Sequence, residues 1–216
     1  MVERLERAAK AYERTVFGAD ASGLPAAAQE LTALEADLAL AQGQNLHAVY
    51  LDQRRLDLAV ENPRELQLFE RAAELYRSLD DGRGEGEATF WIGCFQQVVR
   101  DDHETAVPLF ERSLELATEA GDALTRSYAL RHLGFVAHAS GRLDEARGML
   151  EESTALRREL GFTAGVAANL IGLAYIAFAQ ERGQDCAALL DEADELAAEV
   201  GAKAVRDMVE EARLEM

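Results

Sequence analysis

The block at residues 68–75 reads Leu68-Phe69-Glu70-Arg71-Ala72-Ala73-Glu74-Leu75, and three similar blocks follow it along the 216-residue chain. They read Leu109-Phe110-Glu111-Arg112-Ser113-Leu114-Glu115-Leu116, Met149-Leu150-Glu151-Glu152-Ser153-Thr154-Ala155-Leu156 and Leu189-Leu190-Asp191-Glu192-Ala193-Asp194-Glu195-Leu196. The steps from Phe69 to Phe110, Leu150 and Leu190 are 41, 40 and 40 residues. Self-similarity at a fixed period of this size is the sequence signature of a repeat architecture.

A helix stop lies five residues beyond each block, at Asp80, Gly121, Gly161 and Gly201. Between these stops, apolar residues recur at steps of three and four, which predicts two helices in each repeat. The expected helices cover residues 44–60, 63–79, 87–100, 105–120, 122–140, 143–160, 163–182 and, after a turn at Gly183, a stretch ending at residue 200. Similar spacing predicts further helices at 2–17, 25–42 and 202–215, about eleven in all. The sequence therefore predicts an all-α fold.

The charge of the chain restricts its partners. The formal net charge is −18 at pH 7, so the chain would repel a nucleic-acid backbone rather than neutralise it. Such a charge favours solubility and basic partners. No stretch approaches the roughly 18 apolar residues that a membrane span needs. The first residues lack the basic and then apolar order of a signal peptide, so a cytoplasmic protein with no membrane partner is expected.

The third repeat carries the motif that points to a family. Leu133-Gly134 is followed three residues later by Ala137, and Ala146 lies twelve residues after the glycine. These spacings resemble the tetratricopeptide repeat. Comparable sets occur in the neighbouring copies, at Ile92-Gly93, Ala106 and Phe110, and at Leu173-Ala174, Ala187 and Leu190. The resemblance implies a right-handed α-solenoid of helix-turn-helix repeats with a C-terminal capping helix.

The repeat register implies one domain, 1–216. It consists of a degenerate hairpin at 2–42, repeats at 44–80, 84–121, 122–161 and 162–201, and a capping helix at 202–216. The period of 40 exceeds the family's usual period of about 34 residues, and the motif's tryptophan is absent from its place. This long form resembles the repeat domains of bacterial transcriptional regulators. The strong preference for arginine over lysine is also associated with bacteria.

The residues that carry chemistry elsewhere form no recognisable site here. His132 and His138 are six apart on one helix and so lie on opposite sides of it. No histidine pair has the i,i+4 spacing of a helical metal site. Cys94 and Cys186 lie two repeats apart, and we expect both to be small buried hydrophobes. No nucleotide loop, nucleophile elbow or Cys-x-x-Cys occurs, so no metal, cofactor or catalytic residue is predicted.

Position within the repeat predicts a binding face instead. In this family one side of each first helix lines the concave groove, and the resemblance assigns that side to a set rich in aromatic residues. The set comprises Phe90, Gln97, Tyr128, Arg131, Phe135, His138, Tyr175 and Phe178. Aromatic residues and arginine are enriched at binding hot spots. The alternative is that these rings pack between neighbouring first helices and close the groove.

The resemblance implies a function in binding a peptide or partner protein along the concave face. The alternative is a sensory module that encloses a small molecule or a signalling peptide, and an enzyme that uses the pocket is a third hypothesis. Arg131 is the one permanent cation assigned to the groove, so a carboxylate or other small anionic group of the ligand should meet it. Arg157 and Arg158 are assigned to the solvated outer face. A homodimer is compatible with the sequence.

Overall fold

The structure is a computed structural model that describes residues 2–216. Its ten α-helices account for most of these residues, and no strand occurs among them. The helices are α1 (Val2–Gly18), α2 (Leu24–Arg54), α3 (Pro63–Ser78), α4 (Gly82–Cys94), α5 (His103–Ala120), α6 (Ala123–Ala139), α7 (Leu143–Glu159), α8 (Thr163–Ala179), α9 (Gly183–Glu199) and α10 (Lys203–Glu215). A π-helical turn, Phe95–Val99, continues α4. The all-α prediction is confirmed.

The helices form two compact units, Met1–Asp102 and His103–Met216. Within each unit, consecutive helices pack on one another, as in an α-solenoid of helical repeats. The core of the first unit lies between α2, α3 and α4, with Phe69, Leu75 and Tyr76 at its centre. The core of the second unit is larger, because α6 to α10 all contribute to it. It is also rich in alanine.

The predicted helix stops have the backbone conformation that ends a helix. Asp80, Gly121, Gly161 and Gly201 have φ angles of 55°, 67°, 66° and 65°. This left-handed conformation is the usual one just beyond the last helical residue, and glycine adopts it without steric cost. The stops recur because each repeat must reverse direction at the same point.

The predicted boundary between helices at Gly43 is wrong. One continuous helix, α2, runs from Leu24 to Arg54 where two helices, 25–42 and 44–60, were expected. Gly43 is buried, and a Cβ built on it would lie 2.5 Å from the ring of Phe69. The glycine therefore serves the close packing of α3 against α2. A single interior glycine costs a helix only about 1 kcal/mol relative to alanine, so the helix continues through it.

The glycine of the repeat motif lies where the motif predicts. A Cβ built on Gly134 in α6 would lie 3.4 Å from the carbonyl oxygen of Ala146 and 3.3 Å from Cγ of Leu150, both in α7. The absence of a side chain thus allows α6 and α7 to approach closely.

The last helix covers part of the core of the second unit. Val209 and Ala212 of α10 are buried and belong to the same apolar cluster as Leu173 and Leu190. The rest of α10 is mostly exposed. Such an arrangement is what a capping helix requires, with one apolar stripe inward and a polar surface outward.

Candidate functional site

Two arginine side chains share one acceptor in the second unit. Nη1 of Arg131, from α6, donates a hydrogen bond of 2.7 Å to the side-chain oxygen of Asn169 in α8. Nη1 of Arg157, from α7, donates one of 3.0 Å to the same oxygen. Arg157 is only 2% exposed, whereas Arg131 is half-buried. We call these two arginines and Asn169 the arginine cluster.

Backbone carbonyls at the start of α8 complete the anchoring of the cluster. Arg131 donates to the carbonyl oxygen of Ala168 at 2.8 Å, and Arg157 donates to that of Gly165 at 2.9 Å. A Cβ on Gly165 would approach Cδ of Arg157 to 3.0 Å. The glycine therefore leaves room for the arginine to reach the backbone.

A chain of two hydrogen bonds fixes the orientation of Asn169. Nδ2 of Asn169 donates to Oγ of Ser153 at 2.8 Å, and the Ser153 hydroxyl donates to the carbonyl oxygen of Ser127 at 2.6 Å. The amide nitrogen is thus engaged by Ser153, so the amide oxygen faces the two guanidinium groups. All three side chains are buried, so the geometry is held by packing as well as by hydrogen bonds.

Aromatic rings cover the two guanidinium groups. Cζ of Arg131 lies 4.4 Å from the centre of the Phe135 ring. Cζ of Arg157 lies 4.9 Å from that of Tyr128 and 5.4 Å from that of Phe162. Contacts of this kind offset part of the cost of removing a cation from water.

The cluster is positively charged and lacks a counter-ion within the described residues. Over residues 2–216, neither Arg131 nor Arg157 forms an ion pair with a carboxylate, whereas the exposed Arg158 pairs with Glu192 at 2.7 Å. Burial, and then the nearby Arg157, lowers the pKa of Arg131 to about 9. Burial lowers the pKa of Arg157 to about 10. Both groups remain charged at neutral pH, and Nη2 of Arg157 is buried without a hydrogen-bond partner.

Three of the predicted binding residues belong to this region and three lie elsewhere in the second unit. Arg131 is a member of the cluster, and the rings of Phe135 and Tyr128 cover its two guanidinium groups. The hydroxyl of Tyr175 instead donates to Oε2 of Glu215 in α10 at 2.6 Å, and this bond raises the pKa of Tyr175 to about 12. The other two are His138, half-buried near the end of α6, and Phe178.

Phe178 lines a cavity of about 300 Å³ near the last helix. It is 47% exposed, and Cys186, Leu190, Arg213 and Met216 also line the cavity. Phe178 is therefore near α9 and α10 rather than among the residues that contact Arg131.

Phe90 and Gln97 belong to the first unit and are both buried. Phe90 packs edge-on against Trp91, with ring centres 5.3 Å apart, and Gln97 lies in the π-helical turn. Their place beside the other six residues stays a prediction.

A comparison with protein families bears on the central part of the chain. Residues 98–159 match the family model of the tetratricopeptide repeat. The match assigns this segment, which is less than a third of the chain, to the tetratricopeptide repeat family. Among curated proteins, none matches it significantly. The matched segment includes both arginines of the cluster, whereas their common acceptor, Asn169, lies beyond it.

Within residues 2–216, no helix combines the length and the apolarity that crossing a membrane requires. The same residues contain no group of three or more histidine, cysteine, aspartate or glutamate side chains arranged to hold a metal ion. Both cysteines, Cys94 and Cys186, are free and buried.

Two sequence predictions about the arginines of the repeats are wrong. Arg157 is buried, not on the solvated outer face, and Arg131 is therefore not the one cation of its region. The spacing carried the signal: Leu150, Ser153 and Arg157 follow one another at steps of three and four, so they share a face of α7, and that face is buried. Arg158, next along, is exposed as predicted.

Proposed function

We propose that this protein binds a peptide or partner protein that presents an anionic group to Arg131. Tetratricopeptide repeats generally mediate protein–protein interactions, which supports a partner of this class. The observation that carries the proposal is the arginine cluster. Two guanidinium groups contact one amide oxygen, and no carboxylate pairs with either over the described residues.

The free energy of the cluster favours an anionic partner. A buried charge that lacks a counter-ion loses its hydration without a compensating attraction, which costs several kcal/mol as an order of magnitude. A carboxylate from a ligand would supply that attraction, and arginine binds carboxylates through two parallel hydrogen bonds. Arg131 is the accessible member of the pair, so the contact is assigned to it and Arg157 adds to the local positive potential.

Small anionic ligands are the second candidate. Arg157 is enclosed almost completely, and rings of Tyr128 and Phe135 lie over the cluster. We therefore expect any ligand to reach Arg131 with one small group, either the end of a peptide or the acidic group of a small molecule, as a sensory module would require.

The test uses an array of random peptides with free C-terminal carboxylates and a duplicate array with C-terminal amides. We expect the protein to select acidic-ended peptides on the first array and to lose most of them on the second. Arg131→Ala should abolish this binding. Arg158→Ala is the matched control, because it removes an exposed arginine already paired with Glu192. Binding that persists in Arg131→Ala or on the amidated array would refute the proposal. Selection of no peptide, with saturable binding of citrate or phosphate lost in Arg131→Ala, would favour the small-ligand alternative.

A further inference from the structure

Two rows of apolar side chains are exposed on the first two helices. The row on α1 follows steps of three and four and consists of Val2, Leu5, Ala9, Tyr12 and Val16. The row on α2 follows steps of seven and consists of Leu24, Leu31 and Leu38. Ala9 is exposed, and each of the larger side chains is between 42% and 67% exposed. We call these two rows together the apolar face.

Helix α1 is held on α2 through its polar residues instead. A guanidinium nitrogen of Arg4 lies 3.5 Å from a carboxylate oxygen of Asp37, and Nε of Arg7 lies 2.9 Å from Oε1 of Glu30. Over residues 2–18, Ala11 is the one buried residue of the helix. The larger apolar side chains of α1 therefore remain in water, although exposed ion pairs contribute only about 0–1 kcal/mol each to stability.

Both rows lie on the same side of the hairpin that α1 and α2 form. Leu5 directly follows Arg4, and Leu38 directly follows Asp37, the partner of Arg4. Each residue turns an α-helix by about 100°, so both rows are rotated equally from the line that joins the helices. Because the ion pairs show that the helices run antiparallel, these rotations bring both rows to one side. Ala36, one residue before Asp37, belongs to the core, so the core lies on the opposite side.

We propose that the apolar face is an interface with a second copy of this chain, with the two α1 helices antiparallel about a twofold axis at Ala9. A twofold interface requires a surface that complements itself. The row on α1 has this property, because reversal about Ala9 places Val2 opposite Val16 and Leu5 opposite Tyr12. Steps of three and four are also those of a helix–helix seam, and the small alanine at the centre allows close approach.

The size of the apolar face fits a dimer. The 17 residues of α1 extend over about 25 Å, and two helices side by side are about 20 Å wide. The face therefore covers about 500 Å² in projection, and its accessible area is larger because side chains protrude from it. Each partner in a standard interface contributes about 800 Å². Apolar patches of more than a few hundred Å² are rare on monomers and mark interaction sites.

The distribution of charge permits contact between copies at this face. Although the net charge of the chain is −18, α1 carries four basic and three acidic residues, so the acidic excess lies elsewhere. Glu6 and Glu13 flank the row on α1, and they would meet those of the second copy at the rim of the interface. Added salt screens this repulsion. We therefore expect salt to strengthen the dimer rather than weaken it.

Sedimentation equilibrium of the full chain over a range of concentrations tests the proposal. We expect a dimer of twice the mass of one chain. Leu5→Glu should raise its dissociation constant about 100-fold or more, because it would bury a carboxylate without a counter-ion. Leu214→Glu is the matched control, because Leu214 is 89% exposed on α10 and lies outside the apolar face. Circular dichroism should show that both variants remain folded.

A cross-link tests the position of the axis. Ala9→Cys should form a disulfide between two chains under mild oxidation, since the axis brings the two Cα atoms within the roughly 7 Å that a disulfide needs. Lys10→Cys points about 100° away and should not. The parent, whose two cysteines are buried, should also give no cross-link. A parent that stays monomeric at every concentration, a dimer that survives Leu5→Glu, or a dimer that Ala9→Cys fails to cross-link would overturn the proposal.

Discussion

Gly134 of α6 lies directly against Leu150 of α7: a Cβ built on the glycine would be 3.3 Å from Cγ of the leucine. Leu150 is completely buried, so its side chain has little room to move away. Gly134→Leu should overpack this contact and lower the free energy of unfolding by about 1–3 kcal/mol. Thermal or urea denaturation followed by circular dichroism measures the change.

Gly148→Leu is the matched control for this substitution. Gly148 lies in α7, and a Cβ built on it would meet nothing within 4 Å. The same change there should leave stability equal or slightly higher, because glycine is about 0.8–1.0 kcal/mol less favourable than alanine inside a helix. A Gly134→Leu protein that melts with the parent would contradict the close approach of α6 and α7.

The repeat pattern predicted where helices end more reliably than where one helix runs on without a break. Asp80 and Gly121 could be identified as stops because few residues adopt positive φ, and the requirement is local to the turn. Gly43 looks the same in the sequence but is helical. Its role depends on Phe69, which contacts it from another helix, and no local pattern contains that information.

The arginine cluster and the buried contacts of His47 with Glu65 and Cys94 were hidden for a similar reason. The spacing of Arg157 places it on the buried face of α7. Arginine is so rarely buried, however, that its residue type favoured an exposed position instead. His47 and Glu65 are 18 residues apart and His47 and Cys94 are 47 apart, with no local motif among them. Their meeting depends on the packing register of α2, α3 and α4, which the repeat period alone does not define.

Asn169→Asp should separate the structural and binding roles of the arginine cluster. The new carboxylate would take the position of the shared acceptor and neutralise one of the two charges. Stability at neutral pH should rise, although the bond from Nδ2 of Asn169 to Ser153 is lost, and binding of acidic-ended peptides should fall. Asn169→Ala is the contrasting variant and should destabilise the fold by about 1–3 kcal/mol, because it leaves buried donors unpaired. Equal melting temperatures for the two variants would contradict this account.

Arg131→Ala and His138→Ala should differ in their effects on peptide binding. Arg131→Ala removes the accessible charge, so binding should be abolished. The fold should persist, because loss of two hydrogen bonds is offset by removal of a costly buried charge. His138 lies about two turns further along α6, within reach of a ligand that extends beyond Arg131. His138→Ala should therefore weaken binding less, by about 0.5–1.5 kcal/mol, the loss of one hydrogen bond. Isothermal calorimetry and circular dichroism on each variant measure both effects. A structural role for Arg131 would give the reverse pattern, with a lower melting temperature and unchanged binding.

Removal of residues 202–216 should expose the apolar side of α9. Val209 and Ala212 of α10 are completely buried against the core, and without them Leu189 and Leu196 would face water. We expect the truncated protein to self-associate, which size-exclusion chromatography with light scattering detects. Leu214→Ala is the control, because Leu214 is 89% exposed and its loss should change nothing. A monomeric truncated protein of unchanged stability would show that α10 is not a cap.

The bond from Tyr175 to Glu215 should make the attachment of α10 sensitive to high pH. It raises the pKa of Tyr175 from 10.0 to about 12, so the folded protein holds the phenol proton more tightly than the unfolded chain does. The stabilisation is complete below pH 10 and is lost as the pH rises through about 12. Ultraviolet titration of tyrosinate should show one fewer late-titrating tyrosine in Tyr175→Phe than in the parent. Tyr76 titrates late in both proteins, because burial and its hydrogen bond to Asp37 raise the pKa of Tyr76. Glu215→Gln should return Tyr175 toward its ordinary range. If Glu215→Gln keeps as many late-titrating tyrosines as the parent, the hydrogen bond to Glu215 is not the cause of the raised pKa of Tyr175.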